Sequence, residues 1–405
     1  MRIYNTLTRK KEEFVAIGHL VRLYVCGITP YDTTHIGHAF TYVAFDVLVR
    51  YLESNGYPVR YVQNVTDVDD DILRQAKKLG IRWDELAREQ TALYLADMAA
   101  LNVRRPDVMP KASEEVPAIL DIVDVLLARG YAYRSGGNVY FQVSKDPDYG
   151  KLSRLMREQM LVLAKERGGY PDDPRKRDPL DFVLWQESAP GEPRWDSPWG
   201  AGRPGWHIEC SAMSLKYLGE TLDIHGGGAD LIFPHHESEI AQSEHYTCKH
   251  PFSRYWVHTG MVRVSGEKMS KSLGNLVMVR EVLSRYNGDA LRLHLLGFHY
   301  REGWDYQEEG VQQAETLAED IRTALEDWSP LNAEADEAQP LWTRFVAAMD
   351  DDLDTPRAIE CLRELSREIS GQKQMGRSVH ELQAVLARMA RVLGLTLAEG
   401  GGCPV

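Results

Sequence analysis

Apolar residues along the chain fall into short runs separated by turn-formers, and into stripes at helical spacing. Arg22-Leu23-Tyr24-Val25-Cys26 reads as an apolar strand that stops at the turn Gly27-Ile28-Thr29-Pro30. From Ala39 to Leu52 the apolar positions Val43, Phe45, Val47, Leu48, Tyr51 and Leu52 recur at helical spacing. Val59 to Thr66 reads as the next strand. Strand, glycine-containing turn, helix and strand make a βαβ unit, which predicts a parallel sheet in an α/β fold. Ligands of such sheets sit beyond the carboxyl ends of the strands, where Cys26 and Asn64-Val65-Thr66 fall.

The stretch from Asp71 to Pro204 reads as mostly helical and then irregular, with turn-rich segments at 168–174 and 190–193. It predicts an insertion between two halves of a nucleotide-binding fold. A further strand, Thr221 to His225, is expected to end at Gly226-Gly227-Gly228. After Asp305 the pattern is helical to Leu395, broken at 329–332 and again at 372–378, and residues 399–405 read as a frayed tail. The expected division is 1–105 and 201–305 for the halves of the catalytic domain, 106–200 for the inserted connective region, and 306–405 for a helical bundle.

Composition narrows the class. The 405 residues are 43% hydrophobic with a formal charge of −13, a soluble profile long enough for two or three domains. That acidic balance argues against charge-driven, non-specific nucleic-acid binding. There is no long apolar run and no signal-peptide start, so a cytoplasmic location and no membrane span are expected. The five cysteines, Cys26, Cys210, Cys248, Cys361 and Cys403, are odd in number and widely spaced, which argues against a disulfide framework. Packing or a place in the tail is all that the sequence offers for the last three.

Three groups of residues carry candidate chemistry. His35-Ile36-Gly37-His38 opens the first helix, where free N–H groups and the helix dipole favour phosphate, and Gly37 leaves room for a base. Lys268-Met269-Ser270-Lys271-Ser272 lies in a loop from Ser265 to Asn275 and suits a clamp on phosphates, since such transfers rest on positioning and charge stabilisation. Cys26, Cys210, His235 and Glu239 form a plausible zinc set, with His235 and Glu239 four apart on a helix. Spacing alone also fits buried core cysteines and a structural histidine pair.

The chain resembles cysteinyl-tRNA synthetases of class I, and also the related cysteine ligase of mycothiol synthesis. The resemblance rests on the two phosphate signatures, residues 64–70, Arg203 to Cys210, His225 to Glu237 and Gly266 to Ser272, and covers roughly Tyr24 to Leu395. It implies a Rossmann-like class I fold with an inserted connective region and a C-terminal helical bundle. It implies ATP-dependent activation of L-cysteine to cysteinyl-adenylate, with magnesium accompanying ATP.

The same resemblance assigns residues. His35, His38, Lys268 and Lys271 would be catalytic, and Gly37, Ser270 and Ser272 would join them in binding ATP. Cys26, Gly27, Thr29, Thr66 and Trp206 would line the cysteine pocket. Cys26, Cys210, His235 and Glu239 would hold one Zn2+, whose preference for a soft thiolate would reject serine.

For the acceptor, the four-ligand set, the run Ser211-Ala212-Met213 and residues 349–356 resemble the synthetases, so tRNA(Cys) is the expected partner. The Ile28-Thr29-Pro30-Tyr31 turn, Phe40, residues 166–169 and His258-Thr259-Gly260-Met261 look like the mycothiol ligase, whose acceptor is the amine of glucosaminyl-inositol. The stop soon after Leu395 is also ligase-like, and leaves no full anticodon-reading domain expected. A non-catalytic binding paralogue is the third reading, disfavoured by the intact His35, His38, Lys268 and Lys271.

Overall fold

The computed structural model describes residues 1–31, 34–269, 274–328 and 339–396. The chain opens with an antiparallel hairpin, β1 (Arg2–Asn5) and β2 (Lys10–Glu13), that the polar sequence Lys-Lys-Glu-Glu does not signal. Then come β3 (Val21–Ile28), α1 (Ile36–Ser54), β4 (Val59–Val65), α2 (Asp70–Leu79) and α3 (Trp83–Ala100). The βαβ expectation holds, with β3 running past Cys26 through Gly27 to Ile28. A Cβ on Gly27 would lie 1.7 Å from the Asn64 carbonyl oxygen, so only glycine lets β3 continue there beside β4.

The inserted region departs from the expected irregular chain. It holds α4 (Val116–Ala128), the strands β5 (Ala132–Ser135) and β6 (Asn138–Phe141), α5 (Arg157–Glu166), then β7 (Phe182–Glu187) and β8 (Gly202–Pro204). The four strands form an antiparallel sheet in the order β5-β6-β7-β8. Val139, Phe141, Leu184 and Trp185 from that sheet pack with Ile119, Val123 and Leu126 of α4 in a separate apolar core. The strands are three to six residues long, too short to stand out from their loops.

The second half of the catalytic fold is α6 (Trp206–Leu218), β9 (Leu222–Gly228), α7 (Glu237–Thr247) and β10 (Ser253–Thr259). The strand expected to stop at the glycines continues through them. A Cβ on Gly226 would meet the Phe45 ring at 2.1 Å, so the glycine is there for helix-on-sheet packing. The central sheet is wholly parallel, in the order β10-β9-β3-β4. Its chain direction diverges between β3 and β9, so a crevice opens beyond their carboxyl ends.

A small sheet joins β11 (Val262–Val264) and β12 (Glu267–Lys268) to a later strand, so Lys268 stands on a short hairpin rather than in a plain loop. The rest is helical: α8 (Val279–Leu283), α9 (Gly288–Leu296), the strand β13 (Trp304–Asp305), α10 (Glu308–Ala324), α11 (Pro340–Asp350), α12 (Thr355–Gln374) and α13 (His380–Val392). The loop expected from 372 begins only after Gln374. The breaks expected at 329–332 and 399–405, with Cys403, lie outside the described residues. No helix among the described residues is long and apolar enough to cross a membrane.

One buried ion pair ties these layers together. Asp46 on α1 and Arg292 on α9 are 1% and 0% exposed, and their side chains bond directly. Arg292 also donates to the carbonyls of Leu393 at 2.5 Å and Leu101 at 2.9 Å. Asp46 accepts from Arg50 Nε and from the Arg104 backbone N–H, both at 2.8 Å. Gly394, at φ 72°, passes close enough that a Cβ would meet the Arg292 guanidinium. The last described turn is thereby locked onto the helix that begins at His35.

Candidate active site

The N-terminus of α1 is built from its two histidines. His35 is the N-cap and His38 the third helical residue. The His38 N–H donates to His35 Nδ1 at 3.3 Å, and the His35 N–H donates to His38 Nδ1 at 3.4 Å, a reciprocal capping box. The rings stack at 3.7 Å. Because its Nδ1 accepts a backbone proton, a neutral His38 ring carries its own proton on Nε2. Burial, then the neighbouring His35 ring, holds His38 well below the usual imidazole range, so it is a neutral donor at pH 7.

The second signature lies against the first. The Ile36 N–H donates to the Val277 carbonyl at 2.9 Å, and His35 bridges to Met278. The Met269 methyl carbon lies 3.3 Å from where a Cβ on Gly37 would stand, so Gly37 admits this close approach. Lys268 is exposed, and its carbonyl accepts from Asn275. Ser270, Lys271 and Ser272 lie outside the described residues.

Near the carboxyl ends of β3 and β9, Cys26, Cys210, His235 and Glu239 converge, with one ligand atom from each within 4.8 Å of the others. Cys26 Sγ is 3.8 Å from Cys210 Sγ and 3.5 Å from Glu239 Oε1, and His235 Nε2 is 3.1 Å from Glu239 Oε1. All four are buried. His235 lies in the turn Ile232–His236, which kinks at Phe233 (φ −136°), and helical backbone runs on from there into α7, so His235 and Glu239 face each other four residues apart.

Histidines that the sequence pattern did not single out as site residues surround this set. His225 Nε2 and His236 Nε2 lie 3.6 and 3.2 Å from Cys26 Sγ, and with Cys26 and Glu239 they form a second possible ligand group. His207 Nδ1 is 2.9 Å from His235 Nδ1, which leaves His235 Nε2 facing the carboxylate. His236 Nδ1 is 2.8 Å from His258 Nε2, and His258 Nδ1 is 2.8 Å from Thr6 Oγ1. Partners that orient ligand imidazoles in this way are typical of metal sites.

The electrostatics fit a cation. Burial pushes the Glu239 carboxyl well above the usual range. Burial, then Cys210 and Glu239, raise the Cys26 thiol. Burial pushes His225 down to about 3, and His235 and His236 also fall well below normal. The ion-pair partners of Glu239 are therefore imidazoles held neutral. A buried carboxylate and two thiols with no lysine or arginine partner among the described residues cost much to ionise unless a metal supplies the charge.

The residues expected to line a cysteine pocket lie beside His235 and at the ends of β3 and β4. The Trp206 ring stacks on His235 at 4.3 Å. The Gly27 N–H donates to Asn64 Oδ1 at 2.8 Å, and Asn64 Nδ2 donates to Thr66 Oγ1 at 3.0 Å, tying the ends of β3 and β4. Thr29 follows β3 at the same end of the sheet and is partly exposed. Gly27→Ala is expected to force β3 from β4, at a cost of about 3 kcal/mol or more. Denaturant unfolding checks it, and a loss under about 0.5 kcal/mol would show that the strands part freely.

Of the remaining cysteines, Cys361 is buried on α12, and exposed Cys248 accepts from Arg129 at 2.9 Å. Neither touches the site.

A parallel sheet in the order β10-β9-β3-β4, with the His35–His38 helix start after β3 and Met269 packed near Gly37, fits the catalytic fold of class I aminoacyl-tRNA synthetases. The family model for "tRNA synthetases class I (C) catalytic domain" matches residues 14–316, and the DALR domain matches 344–398. The fold resembles the structure of Mycobacterium tuberculosis methionyl-tRNA synthetase in complex with methionyl-adenylate, with a TM-score of 0.65 at 16% identity over 93% of this chain and 90% of that one. The chain belongs to the cysteine–tRNA ligase family. It is 48% identical to the cysteine–tRNA ligases of Dehalococcoides mccartyi strain 195 and of Serratia proteamaculans, each over 98% of this chain and 86% of the relative. It is 49% identical to that of Thermococcus onnurineus, over 91% of this chain and 80% of the relative.

Proposed function

We propose that this chain is an ATP-dependent cysteine–tRNA ligase, which activates L-cysteine to cysteinyl-adenylate and transfers the cysteinyl group to tRNA(Cys). The observation that carries the reading is the buried Cys26, Cys210, His235 and Glu239 cluster near the carboxyl end of β3, the strand that precedes the His35–His38 helix start and whose Cys26 carbonyl accepts from Tyr42 of that helix. The long identity to cysteine–tRNA ligases favours tRNA over glucosaminyl-inositol as acceptor.

In the first step the carboxylate of cysteine attacks the α-phosphorus of ATP and pyrophosphate leaves. His35 and His38 offer Nε2–H donors to the phosphates, and Lys268 brings a positive charge, which strengthens as bonds to the leaving group stretch. Lys271 joins it in our reading, with Ser270 and Ser272 as phosphate contacts. Gly37 makes room for the nucleotide. In the second step a terminal ribose hydroxyl of tRNA attacks the adenylate carbonyl and AMP leaves. Trp206, Gly27, Thr29 and Thr66 enclose the cysteine and exclude water.

Cys26, Cys210, His235 and Glu239 would hold one Zn2+, and when bound it supplies a Lewis-acidic centre that prefers sulfur donors to hydroxyls. His225 and His236 are assigned to the surrounding shell, since the two-thiol group offers the softer donor set. Magnesium enters with ATP. The reading assigns 1–105 and 201–305 to the catalytic fold, 106–200 to the insert and 306–405 to the helical bundle, and it places the enzyme in the cytoplasm.

The test is charging of tRNA(Cys) by the purified protein, with glucosaminyl-inositol offered in parallel. Cysteinyl-tRNA is the expected product. Amide formation without charging would overturn the acceptor. Within the reading, Lys268→Ala is expected to lower kcat of cysteine-dependent pyrophosphate exchange about a hundredfold while leaving the KM for cysteine nearly unchanged. A comparable rise in that KM would place Lys268 in cysteine binding instead.

A further inference from the structure

Among the side chains of the inserted region, Arg167 reaches the backbone that precedes His235. Arg167 caps the C-terminus of α5, where Gly168 turns the chain at φ 75° and the Gly169 N–H returns to the Ala164 carbonyl at 2.7 Å. From that fixed point the Arg167 guanidinium donates to the carbonyl oxygens of both Asp230 and Phe233. Those carbonyls belong to the irregular segment between β9 and α7, which turns sharply at Phe233 and delivers His235 two residues later. Such a segment leaves carbonyls without helical partners, and a guanidinium satisfies two at once.

Two further contacts point the same way. Phe233, 2% exposed, packs in one cluster with Met160 and Ala164 of α5, so the helix that carries Arg167 also seats the segment. Lys176, farther along the insert, donates to the Gly169 carbonyl. Phe182 on β7 packs edge-on against the His207 ring at 5.4 Å, and His207 is the ring that orients His235. Asp230 is held close as well, its Oδ1 lying 2.5 Å from where a Cβ on Gly228 would stand. The insert thus bears on the backbone before His235 and on the ring beside it.

We propose that Arg167 is a positioning residue for the metal and cysteine pocket, holding the 229–236 segment so that His235 meets Cys26, Cys210 and Glu239. The proposal deepens the function argued above and rests on that reading of the pocket. It makes the insert part of amino-acid recognition.

The test compares wild type with Arg167→Ala and Arg167→Lys in two measurements: zinc affinity by competition with a chelating dye, and KM and kcat for cysteine and for ATP in pyrophosphate exchange. Loss of an outer partner of a metal ligand predicts a tenfold or greater fall in zinc affinity, about tenfold or more in cysteine KM, and ATP KM within about twofold, with Arg167→Lys recovering part of each. Zinc affinity and cysteine KM both within about twofold of wild type would overturn the proposal. So would equal losses for ATP and cysteine together with a lowered thermal midpoint, which mark a general defect. Arg167→Gln replaces the alanine variant if that one does not fold. Wild type that shows no exchange overturns the functional reading beneath, while the dye competition still decides the role of Arg167.

Discussion

Cys210→Ser is expected to leave the purified protein with little zinc and to lower cysteine activation at least about a hundredfold. Cys210 is 1% exposed on α6, and its sulfur lies 3.8 Å from that of Cys26. A serine hydroxyl keeps the volume close to that of the thiol but stays protonated and is a poor zinc donor, so the change tests chemistry rather than packing. The remaining group, Cys26, His225, His236 and Glu239, could still gather a metal, but with one sulfur instead of two. Zinc per chain and cysteine-dependent pyrophosphate exchange are the measurements. Stoichiometric zinc with exchange within about threefold of wild type would shift the assignment to the histidine-rich group.

Breaking the pair at the centre of the fold is expected to cost most in stability. Arg292→Met removes the partner of fully buried Asp46 and frees the Leu393 and Leu101 carbonyls, for a loss of about 3–5 kcal/mol. Burial alone would raise the Asp46 carboxyl, but Arg292, Arg50 and the Arg104 N–H outweigh it and hold the group below the usual range. A depressed carboxylate contributes its stability above the unfolded pKa of about 4 and loses it as pH falls through the folded value. The wild-type denaturation midpoint should therefore drop on acidification below about pH 4, and the variant should show less of that drop. Pairing Arg292→Met with Asp46→Asn should restore part of the loss, because no uncompensated charge remains. A single-variant loss under about 1 kcal/mol would show that water reaches Asp46.

The parts of this architecture that the sequence made legible are those written locally. β3, α1 and β4 show themselves through an apolar run, a helical stripe and a second run, while Gly27, which reads as the start of a turn, lies inside β3. The His35–His38 box is a four-residue pattern at a helix start. The antiparallel sheet of the insert was not legible, because strands such as Gly202–Pro204 carry too few side chains to show a period.

The metal cluster was named from its ligands, and its surroundings were missed for a physical reason. His207, His225, His236 and His258 come from four elements and meet only once the parallel sheet closes. The sequence holds one signal for them, that His207, His225 and His236 fall inside the same long motifs as the ligands. The Asp46 and Arg292 lock spans 246 positions and leaves no local trace. Arg167 was noticed only within a glycine-rich turn, and its role depends on carbonyls more than sixty residues away.

The central claim is that the buried cluster discriminates by sulfur. Equilibrium binding of L-cysteine and L-serine, each to zinc-replete and to chelator-stripped protein, tests it most directly. The account predicts near one zinc per replete chain, a preference for cysteine of about a thousandfold or more, and collapse of that preference on stripping. Protein that prefers cysteine equally well without metal, or that binds serine as tightly with it, would contradict the account.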